Sequence, residues 1–135
     1  MTHDPKRLGR LERLLKVQQQ KRALQEWRLA HLRQEGVELQ TREEAIIASL
    51  GDQSGLQGLF LDAKVKSLKR NDVEKQRNRV AQTDASNRLD AERRKEKQVE
   101  RARHDAARSQ DAHGSRVSLE SALESYLQTT DASFE

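Results

Sequence analysis

The stretch Gly51-Asp52-Gln53-Ser54-Gly55 decides the fold, because of what lies on either side of it. Between Pro5 and Gly51 there is no proline, and the only glycines are Gly9 and Gly36. Between Gly58 and Gly114 neither residue occurs. Both runs are filled with strong helix formers: Arg, Leu, Ala, Gln, Glu and Lys. They read as two long helices joined by one loop at 51–55. A loop that short sends the second helix back antiparallel to the first. The expected fold is all-α: an extended antiparallel two-helix coiled-coil hairpin.

Composition points the same way. At 135 residues the chain holds one domain at most. Only 33% of its residues are hydrophobic, against about 45–50% in an ordinary compact domain. Such a chain is either extended or disordered. Its helix formers and single proline favour extended helix. With no cysteine, disulfides and thiolate metal sites are excluded. The N-terminal residues lack the apolar run of a signal peptide. The longest apolar stretches are Ala45-Ile46-Ile47-Ala48 and Leu59-Phe60-Leu61, far short of the ~20 residues of a membrane span. A soluble, cytoplasmic protein is expected.

Asp4 and Pro5 mark a helix start, with a carboxylate at the N-cap and proline in the first turn. Setting Leu8 and Leu11 at a and d of a heptad places Leu15, Gln18, Arg22, Gln25, Leu29, Leu32, Gly36, Leu39, Glu43, Ile46 and Leu50 on the same seam. Eight of these thirteen positions are apolar. Leu14, Val17, Leu24 and Trp27 form a neighbouring stripe, as in a long imperfect coiled coil whose stripe drifts. Gly51 reads as the C-cap. Helix one, about 5–50, then spans roughly 68 Å at ~1.5 Å per residue.

Helix two is expected over 56–113. Leu59, Phe60, Leu61, Val65 and Leu68 are placed to pack on Leu39, Ile46, Ile47 and Leu50 near the hairpin tip. Beyond them the seam thins to Val73, Val80, Ala85, Leu89, Val99, Ala102 and Ala106. Gly114 reads as a break, followed by a short helix over 115–128 carrying Leu119, Ala122, Leu123, Tyr126 and Leu127. Ser121 with Glu124 resembles a capping box there, with Ser115 and Ser118 as rival caps. Residues 129–135 read as a flexible tail. Helix two is the longer, so an overhang of roughly 103–128 lacks a partner within the chain. It must fold back, dock elsewhere or pair with a second copy, as a homo-oligomer through the C-terminal overhang.

Charge is uneven. Residues 1–50 hold ten basic and seven acidic side chains, 64–104 hold fourteen and seven, and 105–135 hold two and six. The basic segment has three readings: a solvated face, a dock for an acidic protein surface, or a phosphate contact with nucleic acid. No aromatic residue lies between Lys64 and His104, which removes a base-stacking platform. Pairs such as Asp84 with Arg88 support an exposed helix.

No catalytic, cofactor-binding or metal-binding residue emerges. His3, His31, His104 and His113 are scattered and read as helix-surface side chains. Ser109 lies near His104 and Asp105 but has no pocket or oxyanion hole. Gly55-Leu56-Gln57-Gly58 imitates the clamp of some RNA-binding folds, which needs flanking strands. Two readings stand for Trp27: packed at a seam edge, or exposed as a partner hot spot. The tip poses the same question, because consecutive large apolar residues cannot all face one seam.

The run LGRLERLLKV (residues 8–17) opens a Gln/Arg/Glu-rich helix that reverses at a short loop and returns on a longer charged helix. In length and architecture, over most of the chain, this resembles the export-stalk family of flagellar and type III secretion systems (the FliJ/YscO type). The resemblance rests on pattern rather than on any motif. It implies a non-catalytic stalk or adaptor that inserts into the export ATPase ring, reaches the export gate and handles secretion chaperones. It also implies a cytoplasmic location, peripheral at the inner membrane face through protein partners. By position, Arg7, Arg10, Arg13, Leu123 and Tyr126 would lie toward the ATPase, and Leu50, Phe60, Leu61 and Lys64 toward the gate. Trp27 is the remaining partner-binding candidate. The overhang and the break at Gly114 depart from the family's simple pattern. The alternatives are a self-associating coiled-coil scaffold and a nucleic-acid-associated helical protein.

Overall fold

A computed structural model describes residues 4–51 and 60–133 of the chain. Two helices account for nearly all of them: α1, Arg7–Leu50, and α2, Leu61–Ser133. They pack against each other antiparallel, as an all-α helical hairpin. The joining loop, including Asp52 to Gly55, lies outside the described residues, as do His3, Leu56, Gly58 and Leu59.

The start of α1 follows from its sequence. The Lys6 backbone N–H donates to the Asp4 carboxylate at 2.9 Å, and the Arg7 N–H donates to the Asp4 carbonyl at 3.2 Å. Two of the four donors left open at a helix N-terminus are thereby satisfied. Arg10 closes over the same carboxylate at 2.5 Å. At the other end, the Gly51 N–H donates to the Ala48 carbonyl, three residues back, at 3.2 Å. This 3₁₀-type turn closes α1 without a left-handed glycine.

The pair consists of two compact units. One is Gln20–Arg93; the other combines Met1–Gln19 with Arg94–Glu135. In the first, the α1 residues turned inward are Arg22, Gln25, Leu29, Leu32, Gly36, Leu39, Glu43 and Ile46, with Glu26 and Ser49 half-buried beside them. This is the heptad register expected from Leu8 and Leu11, polar positions included. Leu29, Ala85 and Leu89 form the apolar core, with Leu32 packed against them. In the second unit, Leu8, Leu11, Leu15 and Gln18 turn inward from α1, and Glu96, Val99, Ala102 and Ala106 from α2. Arg103 lies 3.8 Å from Glu12 across this pair.

Three expectations are corrected on α2. Val73 and Val80 are not seam residues; Val80 is 71% exposed. The seam instead runs through Leu68, Asn71, Lys75, Asn78, Gln82, Ala85 and Leu89, a 3–4 spacing that valine placement does not match. Nor is there a break at Gly114 or a new cap at Ser115, Ser118 or Ser121. The helix continues through all of them. Gly114 sits with nothing within 4 Å of where a Cβ would be, so no packing pulls it from the helical path. Residues 129–133 are helical rather than a tail. The Thr129 and Thr130 hydroxyls bond back to the Ser125 and Tyr126 carbonyls at 2.8 and 2.9 Å, so neither competes for a non-helical turn.

Candidate partner-binding surfaces

The polar seam decides what faces outward. Asn78 is only 5% exposed, and its amide N–H donates to the Leu32 carbonyl across the pair at 2.9 Å. One heptad earlier, Asn71 donates to the Leu39 carbonyl at 3.0 Å. Gln82 donates to Asn78 Oδ1 at 2.6 Å. Asn78 and Gln82 occupy the space left by Gly36. A Cβ there would stand 2.8 Å from Asn78 Oδ1 and 2.9 Å from Gln82 Nε2. Gly36 is therefore a notch in α1, filled by two amides of α2. Beside it, Lys75 reaches both Glu43 and Gln40. Polar groups buried at a and d positions set register at a cost in stability.

The apolar side chains that the seam does not use lie outside. Leu24 is exposed, and Trp27 is 62% exposed with its ring stacked on His31 at 5.2 Å and 11°. Trp27 stands at the seam edge and is exposed there: its indole forms the rim of a shallow groove of about 290 Å³ that Leu32 of α1 and Ala81 and Ala85 of α2 also line. Leu14 and Val17, in the other unit, are exposed as well.

The tip residues divide. Leu39 is buried and Ile46 and Leu68 are half-buried, as expected. Leu50, Phe60, Leu61, Ile47 and Val65 are exposed. Lys64 is half-buried because its ammonium donates to the Ser49 carbonyl at 3.1 Å, helping to satisfy the end of α1. Leu50, Phe60, Leu61 and Lys64 thus come together at one end of their unit, with the first three presenting apolar surface.

In the other unit, Arg7, Arg10 and Arg13 are exposed on the first turns of α1. Every residue from Arg108 to Thr129 on α2 is exposed, including Leu119, Leu123, Tyr126 and Leu127. Trp27 belongs to neither of these groups.

Sequence reasoning missed Asn71, Lys75, Asn78 and Gln82. A signal was present: Leu68 and Leu89 stand three heptads apart, and the positions between them on that register are these residues and Ala85. Among the described residues no three His, Cys, Asp or Glu side chains are grouped to hold a metal ion, and no helix is long and apolar enough to cross a membrane. The grooves along the helix pair are shallow and open. No protein-family model, curated protein or solved structure matches the chain.

Proposed function

We propose that this protein is a non-catalytic coiled-coil stalk or adaptor of a flagellar or type III protein export apparatus, working in the cytoplasm and reaching the inner membrane face through its partners. One observation carries the reading: the large apolar side chains Trp27, Phe60, Leu61, Leu123 and Tyr126 stand on the outside of the helices, while the seam mixes leucines and alanines with buried Gln18, Asn71, Asn78 and Glu96. A helix pair with this many large apolar side chains exposed is suited to contact other proteins. The basic first turns of α1 and the exposed end of α2 serve the ATPase ring. The cluster Leu50, Phe60, Leu61 and Lys64 serves the export gate, and Trp27 is a third contact, fitted to a secretion chaperone.

The test is binding of the purified chain to the export ATPase and to the cytoplasmic part of the gate from the same organism, measured by titration calorimetry. We expect Phe60→Ala with Leu61→Ala to weaken the gate complex about tenfold or more and leave ATPase binding intact. If neither component binds the wild-type chain, the export reading is wrong.

A further inference from the structure

We infer that the exposed end of α2 is a docking helix for a second copy of this chain, and that it seats on the basic outer face at the start of the partner copy's α1. The inference does not depend on the export reading.

The exposed end is long. From Arg108 to Thr129 it covers about 33 Å at ~1.5 Å per residue, and all of it is exposed. A lone helix of that length is marginal in water. Extending the register of Glu96, Val99 and Ala106 arrives at His113, Val117, Glu120, Glu124 and Leu127, so Val117 and Leu127 continue the line of the intrachain seam. Leu119, Leu123 and Tyr126 lie off that line and add a second exposed apolar stripe beside it, open to a partner approaching from that side. Its own α1 cannot supply one, because α2 runs unbroken through Gly114 and does not double back.

Charge selects the occupant. From Val117 to Ser133 the helix carries Glu120, Glu124 and Asp131 and no Lys or Arg. Two such helices laid together would set acid against acid. The start of α1 is the complement: Lys6, Arg7, Arg10, Arg13 and Lys16 outnumber Asp4 and Glu12, and Asp4 is already held by Arg10, which leaves Arg13 and Lys16 for a partner. On that helix the apolar pair Leu14 and Val17 is exposed between the cations and unused by the seam. Leu119 and Leu123 on Leu14 and Val17, with Glu120 and Glu124 toward Arg13 and Lys16, bury apolar surface and pair charges in one contact. Each copy offers one docking helix and one receiving face, and in the inferred dimer the two copies use both reciprocally, which closes a two-fold pair rather than an open chain.

Sedimentation equilibrium of the full chain, with circular dichroism to check folding, tests this. The wild type, 15.5 kDa as a monomer, is expected to dimerise with concentration and to loosen as salt is raised. Arg13→Glu with Lys16→Glu, at exposed positions, is expected to weaken the dimer about tenfold or more. Glu120→Lys with Glu124→Lys should do the same. An equimolar mixture of the two variants should regain the dimer, because each docking helix then meets a face of opposite charge. A wild type that stays monomeric overturns the inference. So does a dimer that survives the α1 reversal, which would mean that the two acidic helices pair with each other, and so does a mixture that fails to recover.

Discussion

Asn78 and Gly36 form a tightly constrained contact between the two helices. The asparagine amide is fixed by the Leu32 carbonyl on one side and by Gln82 on the other, and its oxygen fills the glycine notch. Gly36→Ala gains about 1 kcal/mol of helix propensity but displaces these amides. Losing the Asn78 bond costs about 1 kcal/mol, so the single substitution is expected to be near neutral. In an Asn78→Ala background the nearer clash is gone and Gln82, released from Asn78 Oδ1, is free to swing its flexible end aside, so Gly36→Ala should stabilise by about 1 kcal/mol. Urea unfolding of the four proteins measures this coupling, and additive effects would contradict the packing described. Asn71 differs from Asn78: its Oδ1 is buried with no hydrogen-bond partner. The Leu39 carbonyl it caps already lies within α1. Asn71→Leu is therefore expected to raise stability by about 1–2 kcal/mol, and more than Asn78→Leu does. Trp27, being outside the seam, should tolerate Ala within about 0.5 kcal/mol, whereas Leu29→Ala should cost about 2–4 kcal/mol. Comparable losses in thermal melts would place Trp27 back in the core.

At the scale of the helices, α1 was legible and α2 was only partly so. Leu8, Leu11 and Leu15, then Leu29, Leu32 and Leu39, mark a heptad strongly enough to carry Gln18, Arg22, Gly36 and Glu43 into the seam with them. On α2 the seam positions between Leu68 and Leu89 are two asparagines, a lysine, a glutamine and an alanine. Hydrophobic periodicity passes over such residues and settles on Val73 and Val80, which are apolar yet face water. The candidate site was legible as a set of residue types, since exposed Phe60 and Leu61 follow from consecutive bulky residues sharing one seam. The notch at Gly36 was not, because a glycine inside a heptad reads as a gap until its opposite neighbour is known. Gly114 shows the limit of local rules: glycine weakens a helix by about 1 kcal/mol relative to Ala but does not end one. Gly114→Ala, in open space at helical φ, is expected to add about 1 kcal/mol of local helix stability. Amide exchange around residues 110–120 should slow severalfold. Unchanged or faster exchange would mean that α2 is not continuous there.

For the molecule as a whole, the division of labour follows from where its few large apolar residues sit. The seam packs leucines and alanines and sets their register with buried amides and ion pairs, and the outer faces carry Trp27, the tip cluster and the end of α2. If the chain is both an export stalk and a dimer, the two roles compete for Arg13 and for the exposed end of α2. The dimer then holds both closed until the ATPase displaces it. The most direct test of the central claim is steady-state ATP hydrolysis by the export ATPase of the same organism, titrated with this protein. The wild type is expected to raise turnover saturably, and Arg7→Glu with Arg10→Glu to lose most of the effect at unchanged helicity. Turnover identical with and without a well-folded wild-type chain would contradict the stalk.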